Sequence, residues 1–309
     1  MPFRRGSDWV IGSERMSITS EAPAAFRNAA VTPGPLALIG EAIREVRSRR
    51  RLVRYLVQAE IRRRGANTLL GNVWWVLDPL LLMLVYVVLV AIIARRPIDD
   101  YPLFIFAAIL PWKWFTSAVI DATGSIVNHH RLIKQIAFPK IVLPVAATTA
   151  GVVGFGFGMI PLAGIMVLYL DRLSPLILLV PVIAVVQYAF TIGVALLVAA
   201  GNVFVRDLGN VMRHLLRLWF YLSPGLYSLS MLDEVDLIRE QPVLLTIAAA
   251  NPFAVLFEAY RSVIYGTVDG PPVMPDWAAP AILLVVSLGF VAVATVTFKR
   301  LEPTFAKVL

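Results

Sequence analysis

Residues 141–170 read IVLPVAATTAGVVGFGFGMIPLAGIMVLYL, 30 residues without one Asp, Glu, Lys or Arg. A helix crossing the hydrocarbon core of a bilayer needs about 20 predominantly apolar residues, so this stretch is long enough to span by itself. Two further uncharged runs accompany it, 33 residues from Leu173 to Val205 and 22 from Trp277 to Phe298. The whole 309-residue chain is 59% hydrophobic and 16% charged, against about 45–50% and about 25% in soluble domains. A water-soluble globule is excluded. A transmembrane β-barrel would show alternating segments of about 10 residues, which continuous apolar runs are not. The sequence predicts an all-α integral membrane protein.

Spans are expected at 74–94, 103–127, 141–170, 176–202, 209–230 and 277–298, six in all. The fifth is the weakest, because only 15 uncharged residues separate Arg217 from Asp233. Basic residues mark cytoplasmic segments. With the N-terminus inside, those segments carry 22 of the 28 Lys and Arg, whereas the external ones carry Arg95, Arg96, Arg172, Arg239 and Arg261. The topology is therefore N-in, C-in, and the net charge of +8 sets orientation instead of marking a nucleic-acid binder. Residues 241–266 are apolar enough to suggest a seventh span, but they contain Asn251, Pro252, Glu258 and Arg261. A full crossing there would put Lys299, Arg300 and Lys307 outside. An external re-entrant excursion of two short helices, broken at Asn251-Pro252, keeps the parity and lets protein neighbours satisfy the interrupted backbone.

Ahead of the spans, residues 1–35 are polar and rich in Pro, Ala and Ser. They lack the apolar stretch of a secretory signal and read as a disordered cytoplasmic tail. In 36–73, Leu36, Ile39, Ile43, Val46, Val53, Val57 and Ile61 recur at helical spacing among many arginines, with Arg50 interrupting the stripe. That is a basic amphipathic helix of the kind that lies in the headgroup plane before leading into the first span; the plainer alternative is a cytoplasmic extension of that span. Residues 74–309 form the six-helix transmembrane domain.

Candidate chemistry is sparse. With no cysteine, disulfides, thiolate catalysis and Cys-based metal sites are absent. No Gly-x-x-x-x-Gly-Lys-Ser/Thr loop is present to cradle nucleotide phosphates, and no compact metal-ligand set occurs. His129 and His130 lie at a span end, where a solvated or partner-facing pair is the simpler reading. Gly154-x-x-x-Gly158 permits close helix packing. Intramembrane charge marks a functional site by default. Lys113 lies roughly 15 Å into its span, and Asp121, about 80° around the helix from it, is placed for only a loose pairing; pathway lining and a structural interhelix pair both stay open. Aromatics gather near the expected membrane boundaries, mostly as an interfacial belt. An aromatic-lined path would suit a sugar, and Trp112, Trp114 and Tyr227 are the residues nominated for it alongside Lys113. Pro139 disfavours helix at Phe138, so the helix of the 128–140 loop should stop there.

Several stretches together resemble one family. Leu70-Gly71-Asn72-Val73-Trp74-Trp75-Val76-Leu77-Asp78-Pro79-Leu80 resembles the first span of the ABC-2 permeases that export polysaccharides, the O-antigen and teichoic acid exporters. Ile109-Leu110-Pro111-Trp112-Lys113-Trp114-Phe115 is similar to their second span, with Lys113 a departure. Phe138-Pro139-Lys140-Ile141-Val142-Leu143-Pro144 resembles their hallmark after the first cytoplasmic loop, and Asn202-Val203-Phe204-Val205-Arg206-Asp207-Leu208 the Arg-Asp segment of the second. Asn251-Pro252 followed by Arg261 and Gly266 resembles their external re-entrant region. The resemblance covers 40–305. It implies a permease of the bacterial inner membrane that pairs with a second copy of itself and binds two copies of a separate ATPase subunit, which alone would hold ATP and Mg; this chain would need no cofactor. Asn128, His129, His130, Arg131, Leu132 and Lys134 would couple to that ATPase, with Arg206 and Asp207 in the second cytoplasmic loop. The cargo implied is a polyprenyl-linked glycan moved outward. With 23 Arg to 5 Lys, a cell-wall galactan of a GC-rich actinobacterium is one such cargo, and O-antigen fits equally.

Other classes fit less well. An ABC-2 exporter of a small amphipathic drug or lipid shares the architecture and is separated only by the motifs above. A secondary transporter would show internal repeats with helices broken at the midplane, and none is evident. An enzyme acting on polyprenyl phosphates would need clustered Asp, His or Arg, and the segment from His129 to Lys134 lacks carboxylates.

Overall fold

A computed structural model describes residues 33–66, 70–93, 99–136, 138–228, 242–267 and 270–309. The expected tail lies almost wholly outside these residues, as do the external Arg95, Arg96 and Arg239. Pro35–Leu309 is one compact unit, whose regular structure among the described residues is helix, apart from an isolated bridge between Thr267 and Gly270. The helices are α1 (Pro35–Ser48), α2 (Arg50–Gly65), α3 (Trp74–Val87), α4 (Tyr101–Asn128), α5 (His130–Gln135), α6 (Val142–Met166), α7 (Val180–Phe204), α8 (Leu208–Leu222), α9 (Pro242–Ala249), α10 (Pro252–Ile264) and α11 (Ala278–Val308).

Among the described residues, four helical segments are long and apolar enough to cross a bilayer: α4, α6, the stretch Pro175–Phe204 that ends in α7, and α11. Three of them cover the uncharged runs, because hydrocarbon tolerates little else, while α4 carries Lys113 and Asp121. The other two expected spans are shorter. α3 runs into a wider turn over Val88–Ile93. α8 has 15 residues, about 22 Å at the helical rise, and ends at Ser223-Pro224-Gly225 instead of continuing to 230. Arg213, His214 and Arg217 lie on its exposed side, while Met212, Leu216 and Phe220 face inward.

The core forms around α4, whose residues from Leu103 to Ala118 are largely buried. Trp112 is its hub. The indole packs at 4.6 Å from Phe253, 5.3 Å from Phe220 and 5.6 Å from Phe115, in the offset and edge-on geometries that ring quadrupoles favour. This cluster joins α4, α8 and α10, and Phe190 brings α7 to it through Phe115 and Trp219. One buried polar side chain ties two of these helices together: the Gln187 amide of α7 donates to the Pro111 carbonyl of α4 at 2.7 Å. The glycines of α6 allow close approach as the motif suggested, since a Cβ at Gly158 would collide with Leu110 on α4.

The basic amphipathic segment is two helices, broken at Arg49, next to the Arg50 that interrupts the apolar stripe. Both pack on other helices of the chain. α2 lies against α6 and α4, and α1 docks on the end of α11 through Leu38 and Ala42. Leu36 and Ile43 remain 84% and 62% exposed, leaving α1 a second, apolar edge.

The α1–α11 contact is held by charge. The Lys299 ammonium, 7% exposed, lies 2.9 Å from Glu45, 2.8 Å from Glu302 and 3.4 Å from Glu41. Glu302 also accepts the Lys140 backbone N–H at 2.6 Å, which ties the same cluster to the end of the 128–140 loop. Burial pushes the Glu45 carboxyl up from its ordinary value even with Lys299 beside it. Glu45 therefore favours folding at low pH, a contribution lost as pH rises through its raised value. Lys299→Met strands three carboxylates, and the expected cost is about 2–3 kcal/mol, below the 3–5 of a fully buried broken pair because Glu41 and Glu45 stay partly hydrated. With the cation gone, burial is left unopposed in pushing Glu45 toward its protonated form. The deficit should thus be large at pH 7 and shrink at pH 5, read by thermal unfolding of the full chain in detergent. An equal deficit at both pH values would show that charge is not what holds α1.

Candidate functional site

From Lys113 onward the half-exposed positions of α4 fall at 113, 116, 117, 120, 121, 124 and 127, the repeat of one helical face. Lys113, Thr116, Ser117 and Asp121 make that face polar, and it continues to the exposed Asn128 at the helix C-terminus. Two cavities open along it. The larger of the two, of about 510 Å³, is bounded by Arg64, Trp74, Trp75, Asp78, Lys113 and Asp121 among others. The second, of about 330 Å³, lies between α2 and the C-terminal part of α4 and is lined by Glu60, Arg63, Asp121, Asn128 and His129 among others. Asp121 belongs to both.

Lys113 and Asp121 do not pair with each other; each has found a partner on another helix. The Lys113 ammonium meets the Asp78 carboxylate of α3, with 36% and 54% of their side chains exposed to the crevice. Asp121 accepts a charge-assisted hydrogen bond from Arg64 of α2. Arg64 also lies 5.6 Å over the Trp75 ring, a cation–π geometry. Burial lowers its pKa, while the hydrogen bonds from Arg63 to Glu60, at 2.6 and 3.1 Å, raise that of Arg63. The crevice is nearly charge-balanced and mixes hydroxyls, carboxylates, cations and indole faces. That set can hydrogen-bond a polyhydroxylated ligand and stack against it. No group of three metal-ligating side chains occurs among the described residues.

The nominated path residues do not gather in one place. Lys113 lines the crevice. Trp114, 3% exposed, forms its wall, Trp112 is in the aromatic core described above, and Tyr227 is half-buried beyond α8 with its carbonyl accepting from Arg261 at 3.1 Å. Trp74, Trp75, Asp78 and Arg64 are the crevice residues that the sequence reading did not assign to a path. The four-residue recurrence of polar side chains on α4 was the signal that could have found the face they cover.

The 128–140 loop contains α5, which ends at Gln135, three residues before the Phe138 where Pro139 would stop it. Asn128, His130, Arg131 and Lys134 are exposed, Leu132 is half-buried and Ile133 is inside. The His129 and His130 Nδ1 atoms lie 2.7 and 3.0 Å from the carbonyls of Ser125 and Val127. In the second loop Arg206 and Asp207 are exposed, and Asp207 accepts from the Asn210 amide at 2.6 Å.

The Asn251-Pro252 segment is a helix break, with α9 ending at Ala249 and α10 beginning at Pro252. Asn251 caps α10 by accepting the Phe253 N–H at 3.0 Å, receives the Trp219 Nε1–H at 3.1 Å and donates to Ser223 at 2.8 Å. At 8 and 13 residues, neither helix reaches the roughly 30 Å of a hydrocarbon core. Glu258 is exposed. Arg261, 3% exposed, donates to the carbonyls of Pro224 at 2.7 Å, Tyr227 at 3.1 Å and Gly225. Gly266 closes α10 at φ +93°, where a Cβ would strike the Pro271 backbone at 2.4 Å.

Known proteins resemble this chain over nearly their full length. The O-antigen export system permease protein RfbA of Myxococcus xanthus is 32% identical over 244 residues, 78% of this chain and 92% of that protein. Two proteins of the same name from Klebsiella pneumoniae are 27% and 25% identical over 258 and 255 residues, each match covering 82% of this chain and 93% of the relative. No protein-family model matches the chain. A multi-pass helical membrane architecture and these relatives agree with each other: the chain belongs to the ABC-2 type permeases of polysaccharide export systems.

Proposed function

We propose that this chain is the membrane-embedded half of an ATP-driven exporter that moves a lipid-linked polysaccharide out across the bacterial inner membrane. The match to permeases named for O-antigen export, over nine-tenths of their length, carries the reading. The working unit is two copies of the chain with two copies of a separately encoded ATPase subunit, because the sequence has no phosphate-binding loop of its own. Six passes place both ends in the cytoplasm, with α3 and α8 as the first and fifth. α9 and α10 form the external re-entrant pair. α5 and its flanks dock on the ATPase, and the second loop, with Arg206 and Asp207, lies on the same face. A cell-wall galactan and O-antigen are both cargoes of the right chemistry, carried on a polyprenyl phosphate.

Deleting the gene should trap lipid-linked glycan in the cytoplasmic leaflet, and the wild-type chain should restore export. An affinity-tagged permease should bring down its ATPase, with ATP hydrolysis present in the complex and absent from the permease alone. Unchanged surface glycan in the deletion strain, or hydrolysis by the isolated permease, overturns the reading.

A further inference from the structure

Beside the polar crevice, across α6, lies an apolar groove of about 760 Å³ between α6 and α7, bounded by Val152, Gly156, Met159, Ile177, Val185 and Tyr188 among others. The Tyr188 and Thr149 hydroxyls in it are hydrogen-bonded to each other at 3.0 Å, so they present no unmet polar demand to whatever fills the groove. Trp114 and Phe155 line both spaces, their rings 4.9 Å apart. Trp114 also brings a buried Nε1–H with no acceptor among the described residues, directed at Gly151 on the crevice side, where a Cβ would come within 3.2 Å.

The glycine run of α6 explains why crevice and groove adjoin. Gly151 and Gly158 are filled by Trp114 and Leu110 of α4, so helix packing accounts for them. Gly154 and Gly156 are different. A Cβ at Gly154 would only graze the Trp75 ring at 3.8 Å, and one at Gly156 would meet nothing within 4 Å. Packing within the chain does not require glycine at 156, yet its absent side chain keeps the groove open next to the shared wall.

Resting on the exporter reading above, we propose that crevice and groove are two halves of one amphiphile site: the prenyl chain of a prenyl-linked saccharide lies in the groove and its first sugar enters the crevice. The head side selects a sugar over the headgroup of an ordinary anionic phospholipid. Asp78 and Asp121 accept hydrogen bonds from ring hydroxyls, and Trp74 and Trp75 offer flat faces to a sugar ring, which a glycerol headgroup lacks. Lys113 and Arg64, each already paired with one of those carboxylates, turn their remaining N–H donors to the linking phosphate and ring oxygens. Each half, at about 510 and 760 Å³, falls by itself in the range of small-ligand sites, about 300–1,000 Å³.

The test uses the full chain in nanodiscs and a farnesyl-phosphate-linked N-acetylglucosamine bearing a diazirine on its terminal isoprene. Photolabel should appear on the segment 177–188. Gly156→Leu fills the groove from a position with open space around it, so the chain should fold and its labelling should fall about tenfold. Asp78→Asn combined with Lys113→Gln should weaken the sugar-bearing probe while leaving labelling by diazirine-farnesol unchanged. Wild-type labelling of Gly156→Leu overturns the site. So does displacement of the probe by phosphatidylglycerol as readily as by unlabelled prenyl-linked sugar, which would mark a structural lipid. Export in the deletion strain is read separately: groove labelling alongside unaltered export upholds the site and overturns the exporter reading alone.

Discussion

Replacing Arg261 by methionine is expected to abolish the folded protein outright, not to trim its activity. The guanidinium is buried between α4, α8 and α10, stacked 3.7 Å from the Phe104 ring, with its donors on the carbonyls of Pro224, Gly225 and Tyr227. Those carbonyls belong to the turn that follows α8, where the helix has ended and the backbone has no internal partner. Arg261 replaces the missing hydrogen bonds from a neighbouring helix. Leaving three carbonyls buried and unpaired costs about 1–3 kcal/mol each, a large part of the 5–15 kcal/mol that holds a typical domain together. Arg261→Lys should recover little, since one ammonium cannot span the three acceptors while stacking flat on Phe104. Thermal unfolding and size-exclusion profiles of the full-length variants check this. A monodisperse Arg261→Met chain melting with wild type would show that the turn after α8 is held by something else.

The same region marks where sequence reading stopped. Long apolar helices were legible because a charge-free run of 22 to 33 residues has few other uses. The helix break at Asn251-Pro252 was legible too, as Asn followed by Pro is a helix-start signal. The bond network around that break was not. Arg261 is 37 residues from Pro224 and 157 from Phe104, and nothing local distinguishes a buried clamp from a solvated external arginine. For the same reason the sequence exposed Lys113 and Asp121 as intramembrane charges but not their partners Asp78 and Arg64, which are set by how α2 and α3 pack on α4. Trp112 and Trp74 read alike, since a boundary tryptophan and a core tryptophan both need an apolar surrounding with one polar handle. Only packing separates them, with Trp112 at 5% exposure and Trp74 at 43%. The path nominations drew on aromatic type, whereas the structure gathers polar and aromatic groups by helix face.

Charge reversal at Arg131 is expected to abolish export while leaving the permease folded and inserted. The loop holding it is braced from inside: Ile126 and Ile133 are 0% and 8% exposed, and the Lys140 N–H just beyond is fixed by Glu302. What remains outward is a small knob of His130, Arg131, Lys134, Gln135 and Ile136, the last 56% exposed. The apolar edge expected from Ile126, Leu132, Ile133 and Ile136 therefore divides, with two residues anchoring the knob and Ile136 and part of Leu132 available to a partner. A knob this small depends on a few central contacts more than on area, so Arg131→Glu facing an acidic cleft should cost about 2 kcal/mol or more, roughly thirtyfold in affinity for the ATPase subunit. Leu132→Asp should act similarly through desolvation, whereas Ile133→Asp should unfold the loop and serves as the contrasting control. Pull-down of the ATPase and glycan export are measured together. If the loop were only a positive-inside anchor, Lys134 and Lys140 would preserve it and both signals would survive Arg131→Glu. Loss of pull-down with normal melting places the energy-coupling contact on α5, at the point where α4, α6 and the Lys299 cluster converge.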